Sequence, residues 1–246
     1  MKISVCIDAV LPGNDTAQKL RDLKRIGCQA FEFWSWWDKD LNVLKSAMEE
    51  TGLALAAMCT RFISLTEPSK RGDYLRGLKE SIGEAKKMGC RTLISQVGDD
   101  SGEDRAKQHQ SVADGLKECV PLLRDAGIVL AVEPLNITID HRGYYLWSSA
   151  EGFEIVREVD SPYVRLLYDI YHQQIMEGNI LNTVTANLDL IGHMHAAGVP
   201  GRKELDRSEL DYRYIFNTLD RAGYPGYMGF EYFPAEDSLA GIRKFL

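Results

Sequence analysis

Brief, nearly unbroken apolar runs alternate with longer amphipathic stretches eight times along this chain, and that alternation limits the folds open to it more than any other feature. The runs are Ile3–Ile7, Ala30–Trp34, Leu53–Cys59, Thr92–Val97, Ile128–Glu133, Val164–Asp169, Leu190–His195 and Tyr227–Glu231. Continuous rather than alternating hydrophobicity is the mark of parallel strands covered on both faces. Helices are expected between them at Asp15–Ile26, Leu41–Thr51, Lys70–Met88, Asp104–Ala126, Ser149–Glu158, Leu181–Leu188, Asp211–Arg221 and Ala235–Phe245. Glycines 27, 52, 89 and 127 follow four of these helices directly, and Gly223 follows a fifth after Ala222, as helix-ending residues do. Ser148 or Ser149 is placed to cap the start of the fifth.

Eight strand–helix units in 246 residues predict a single (β/α)8 barrel, one domain over 1–246. A doubly wound open sheet is the competing arrangement, but no G-x-G-x-x-G follows the first strand to mark a dinucleotide site. No low-complexity stretch divides the chain. Hydrophobic residues make up 45%, enough for a large core, and the net charge of −7 disfavours nucleic acid as a partner. The five cysteines include no C-x-x-C pair and read as buried free thiols of a reducing compartment. The first run is too short for a signal peptide, and no run approaches the length of a membrane span. A cytoplasmic location with no membrane partner is the expectation.

Barrels of this kind build their active sites at the C-terminal ends of the strands. In the second half of the chain those ends carry Glu133, Asp169, His195 and Glu231, one per consecutive strand. Any one of them alone reads as an ordinary strand-end polar group. Four together would converge on one side of the barrel mouth. Three carboxylates cannot all stay ionised there without a compensating cation. A divalent metal resolves the conflict, and oxygen-rich ligation with one imidazole suits Mn2+, Mg2+ or Co2+, with Zn2+ also open.

Around this quartet stand other candidates. His172, three residues past Asp169 where the strand is expected to give way to a loop, is placed to bond a substrate hydroxyl or carbonyl. Arg202, in a Gly/Pro-marked loop after the seventh strand, suits a carboxylate or hydroxyl, or else is a surface cation, with Glu204 and Asp206 available to hold it. Trp34, Trp36 and Trp37 lie at and beyond the end of the second strand and are expected to wall a pocket. His193 points the same way as His195 one layer deeper and reads as a core or supporting histidine. Glu32 reads as an internal acid satisfied by an arginine or lysine.

At these residues the sequence resembles the xylose isomerase-like barrels, and within them the hydroxypyruvate isomerase group. The resemblance rests on Val132-Glu133-Pro134-Leu135-Asn136, Asp169-Ile-Tyr-His172-Gln-Gln, Gly192-His-Met-His195, Gly198-Val-Pro-Gly-Arg202-Lys-Glu204 and Gly229-Phe-Glu231-Tyr, with the loop Asp140-His141-Arg142-Gly143 beside them. It implies a metal held by Glu133, Asp169, His195 and Glu231, with the two glutamates as a proton donor and acceptor pair. His172 and Arg202 match substrate-contacting positions of related ketose 3-epimerases. The chain departs from the hydroxypyruvate isomerase pattern at one ligand, where that group carries Gln and the epimerases, like this chain, carry His195. The activity implied is isomerisation of a short hydroxy-oxo compound, hydroxypyruvate to tartronate semialdehyde first, with a 2-oxo-tetronate isomerase or a ketose 3-epimerase as alternatives. A non-catalytic sugar-binding barrel is the remote one. An oxo-acid substrate needs a cation at the wall, for which Arg202, Arg61 and Arg142 are the candidates. Relatives of this kind are commonly homo-oligomers. Abasic-site endonucleases of the same superfamily need further histidines from strands three and four, and this chain has Cys59-Thr60-Arg61 and Gln96-Val97-Gly98 there.

Overall fold

The structure, a computed structural model, describes residues 1–246. Eight parallel strands run in the order β1-β8-β7-β6-β5-β4-β3-β2. They are β1 (Lys2–Val5), β2 (Ala30–Phe33), β3 (Ala54–Cys59), β4 (Thr92–Ser95), β5 (Val129–Val132), β6 (Val164–Asp169), β7 (Ile191–Ala196) and β8 (Tyr227–Phe230). The β1 and β2 edges meet through a parallel bridge between Cys6 and Glu32, where the Ile7 N–H donates to the Glu32 carbonyl at 2.9 Å. That contact brings the sheet round into a barrel, as the sequence predicts.

Nine helices cover the outside: α1 (Thr16–Ile26), α2 (Leu41–Thr51), α3 (Arg71–Met88), α4 (Arg105–Ala126), α5 (Ser149–Val159), α6 (Ile170–Met176), α7 (Ile180–Ala186), α8 (Tyr212–Arg221) and α9 (Ser238–Arg243). Side-chain caps define the starts of all but α3 and α7, among them Asp15, Asp40, Asp104 and Ser148. Gly27 ends α1 at φ 100°, a left-handed conformation that a Cβ would strain. No helix is long and apolar enough to cross a membrane.

Two elements differ from expectation. The residues after Asp169 form α6 rather than a loop, so His172 sits in a helix. Seven residues are too few to show a helical period, and the capping acid that starts α6 is the same Asp169 that reads as a ligand. The last helix is shorter than Ala235–Phe245, because Asp237 caps it at Ser238.

One large core fills the space between sheet and helices, from Leu20 and Leu23 of α1 to Ile242 of α9. A separate small cluster, Ala57, Cys59, Ile94, Ala131 and Leu167, packs across β3 to β6 with Trp34 against it. Cys59 and Ile94 of this cluster also line the cavity at the barrel mouth. The small apolar cluster is therefore the floor on which the polar residues stand.

Candidate active site

Glu133 lies one residue past β5, Asp169 ends β6, His195 is the fifth residue of β7, and Glu231 lies one residue past β8. The parallel registers Asp169↔His195 and His195↔Gly229 set these neighbours level with one another. All four side chains are buried, and one ligand atom of each lies within 4.8 Å of the others. His195 Nδ1 is 3.5 Å from Glu231 Oε2 and 3.7 Å from Glu133 Oε1. Asp169 divides its labour: Oδ1 caps α6 by accepting from the Tyr171 and His172 N–H groups at 2.7 and 3.3 Å, while Oδ2 makes no hydrogen bond, with His172 Nε2 at 3.5 Å and Arg202 Nη2 at 4.0 Å. His195 Nδ1 is likewise buried without a hydrogen bond.

The electrostatics of this cluster report crowding. Burial lifts the Asp169 carboxyl to about 7, with Glu133 and Glu231 adding to the rise against the pull of Arg202 and His195. Burial would lower His195, but the charges of Glu32 and Glu231 and the nearness of Glu133 raise it well above the ordinary histidine range. Orphaned buried donors and acceptors are costly, and here they face one point. A three-carboxylate, one-imidazole set with unpartnered atoms turned inward fits a divalent cation.

One layer deeper, Glu32 holds the imidazoles in place. Its Oε2 meets His193 Nε2 at 2.7 Å and accepts from Ser4 Oγ at 3.2 Å, and its Oε1 lies 3.1 Å from His195 Nε2. Burial opposes its ionisation, yet the two histidines outweigh burial and hold it at about 2. With Nε2 facing Glu32, Nδ1 is the nitrogen that His195 offers to the quartet. The pair needs the bare backbone of Gly229, since a Cβ there would stand 2.1 Å from Glu32 Oε1 and 2.7 Å from His195 Cδ2. Glu32 is therefore satisfied by histidines, not by the arginine or lysine expected from sequence. His193 is the buried supporting histidine expected.

Above the quartet opens a cavity of about 700 Å³. Trp34 Nε1 donates to Glu231 Oε1, and Gln96 Nε2 donates to Glu133 Oε2 at 2.9 Å. Arg202 Nη2 pairs with Glu231 Oε2 and its Nε donates to the Glu231 carbonyl at 3.3 Å, with the side chain only 11% exposed. It is no surface cation. Arg202, beneath burial that opposes the effect, keeps Glu231 well below the usual carboxylate range, with His195 and Trp34 assisting. Glu204 and Asp206 do not hold Arg202: Glu204 accepts from the Ala235 and Glu236 N–H groups, and Asp206 pairs with Lys244. Phe62, Phe233 and Leu135 complete an apolar rim.

Other candidates fall elsewhere. Arg61 does not face the cavity: it pairs with Glu80 of α3 at 3.2 Å and stacks over Trp36 and Trp37 at 4.5 and 5.0 Å. Trp36 bonds Ser81 of α3, and Trp37 packs edge-on against Phe62, so only Trp34 of the three walls the cavity. Arg142 is exposed and is not part of the wall. His172 is fully buried beside Asp169, its Nε2 3.5 Å from Asp169 Oδ2, rather than on the wall. Gln96 and Gly229 were not singled out from sequence. The strand-end rule that selects Glu133 selects Gln96 equally, and a glycine two residues before a strand-end acid is the only trace that Gly229 leaves.

Such a buried quartet stands at the strand ends of a (β/α)8 barrel, the end at which enzymes of this architecture carry their active sites. The chain belongs to the xylose isomerase-like TIM barrel family, whose model matches residues 20–246. It is 26% identical over 253 aligned residues to the hydroxypyruvate isomerase of Escherichia coli (strain K12), covering 99% of this chain and 97% of that one. A 2-oxo-tetronate isomerase of Cupriavidus necator is 35% identical over 139 residues, 56% of this chain and 53% of the relative. The solved structure of an AP endonuclease, family 2, from Brucella melitensis superposes with a TM-score of 0.93 at 25% identity, over 99% of this chain and 97% of that one. The protein is an isomerase of this family. At the ends of β3 and β4 the cavity receives Cys59 and Gln96, not histidines.

Proposed function

We propose that this isomerase is metal-dependent and interconverts a short hydroxy-oxo acid with its isomer, hydroxypyruvate with tartronate semialdehyde foremost, by proton transfer through an enediolate. The observation that carries it is the buried set of Glu133, Asp169, His195 and Glu231, in which Asp169 Oδ2 and His195 Nδ1 make no hydrogen bond. These four would hold one divalent ion, Mn2+ foremost, with Mg2+, Co2+ and Zn2+ compatible with the same donors. Bound there, such an ion supplies stabilisation of the negative charge that develops on adjacent substrate oxygens.

Glu133 and Glu231 form the proton-transfer pair. Gln96 ties one oxygen of Glu133 and Trp34 one oxygen of Glu231, which fixes each carboxylate plane and turns the other oxygen toward His195. A proton beside a carbonyl is weakly acidic, so one glutamate removes it and the pair returns a proton to the neighbouring carbon. Arg202 bonds through Nε and Nη2, and its Nη1 remains for a substrate carboxylate. The other lysine or arginine of the wall, Lys70, is already paired with Glu67 at 2.5 Å. Trp34, Phe62 and Phe233 exclude water from the reacting carbons. The names of the two curated relatives point to the same substrate class.

A ketose 3-epimerase is the second reading. It is favoured by His195 at the position where the epimerases carry His, and by a cavity of about 700 Å³, more than a three-carbon acid fills. Incubation with a panel of short oxo acids and ketoses in deuterated water with Mn2+, read by proton NMR, tests both. Deuterium entering hydroxypyruvate or a 2-oxo-tetronate with formation of the isomer is the expected result. Exchange only in ketoses would move the assignment to the epimerase. Binding without exchange in any substrate, or full turnover after chelation, would contradict the proposal.

A further inference from the structure

Which nitrogen of a buried imidazole bears the proton is decided by partners whose own roles admit no choice. His172 has such partners. A backbone N–H can only donate. Asn136 Oδ1 accepts from the Ile139 and Asp140 N–H groups at 3.1 and 3.0 Å, so the amide of Asn136 is held with its oxygen on that side. Its Nδ2 then gives one hydrogen to Asp140 Oδ2 and the other to His172 Nδ1, both at 2.7 Å. The backbone N–H of Asn136 reaches the same Nδ1 at 3.3 Å. Tyr171 braces the arrangement by donating to Asp140 Oδ2 at 2.9 Å.

A nitrogen that accepts from two donors carries no hydrogen of its own. The proton of His172 is therefore on Nε2, which makes no hydrogen bond and lies 3.5 Å from the free oxygen Asp169 Oδ2. The ring is fully buried and packs edge-on against His141 and Tyr171.

We propose that Asn136 is a positioning residue that locks His172 as the Nε2–H tautomer, and that His172 in turn steers the free oxygen of Asp169 toward the point it shares with Glu133, His195 and Glu231. In that form His172 only donates. It takes no proton from a substrate, and the transfer falls to the two glutamates. The consequence for Asp169 rests on the metal site proposed above, whereas the tautomer does not.

Histidine-selective 15N labelling of the full chain loaded with Mg2+, with His172 identified by its loss in His172→Phe, reads the tautomer directly. An unprotonated Nδ1 and a protonated Nε2 are expected, and a protonated Nδ1 overturns the lock. Asn136→Asp replaces the donor with an acceptor and is expected to move the proton to Nδ1 and weaken Mn2+ binding about 10- to 100-fold, as loss of an outer ligand partner does. His172→Phe, which keeps a ring but no donor, is expected to weaken Mn2+ binding over the same range. Unchanged Mn2+ affinity in His172→Phe overturns the steering of Asp169. Failure of the unaltered protein to bind Mn2+ would instead overturn the metal site, and the spectrum decides the tautomer even if Asn136→Asp does not fold.

Discussion

The two halves of the barrel mouth differ in kind. From β5 to β8 the strand ends carry Glu133, Asp169, His195 and Glu231, all buried and ionisable. From β2 to β4 they present Trp34, Cys59 and Gln96 to the same cavity, none of them charged. The neutral half is not idle, because its two N–H donors each pin one oxygen of a glutamate from the other half. Charge is thus gathered on four adjacent strands where a single cation can answer it, and the facing strands supply fixed dipoles that orient it without adding to the repulsion.

If that division is right, substitutions in the acidic half abolish turnover and those in the neutral half only misalign it. Glu133→Gln or Glu231→Gln is expected to lower kcat by about 10³-fold or more while the unfolding transition stays in place, which steady-state kinetics and circular dichroism check together. Near-normal turnover in either variant would remove that residue from proton transfer. Glu32 belongs by sequence to the neutral half but serves the acidic one. Glu32→Gln is expected to weaken Mn2+ binding about 10- to 100-fold by calorimetry, because His195 loses the partner behind it. An unchanged affinity would return Glu32 to a purely structural role.

Trp34→Phe and Gln96→Leu each remove one hydrogen bond to a carboxylate and are expected to cost about tenfold in kcat with Mn2+ affinity little altered. A loss as large as that of the glutamates would erase the contrast between the halves. Arg61→Ala is the smallest: an exposed pair with Glu80 and a stack on Trp36 and Trp37 predict a change of about twofold or less in kcat/KM. A loss of oxo-acid turnover there would put Arg61 back among the substrate-binding cations.

The barrel was legible because strands buried on both faces leave continuous apolar runs that local composition alone reveals. The quartet was legible for the converse reason, since an ionisable group closing such a run must be answered by something in space. What could not be read depends on contacts between distant segments. Glu32 meets residues of β7 more than 160 positions away, as the 161-residue separation from His193 records. Arg61 and Arg202 are both loop arginines after a strand, and only the packing of α3 under one and Glu231 beside the other separates them. Helix α6 was hidden by its brevity, and with it the burial of His172.

Diffraction from Mn2+-soaked crystals, recorded so that the ion's anomalous signal stands alone, tests the shared cation most directly. A single strong peak bonded to Glu133, Asp169 Oδ2, His195 Nδ1 and Glu231 is the predicted result. A crystal saturated with Mn2+ that shows no peak among these four side chains would contradict it.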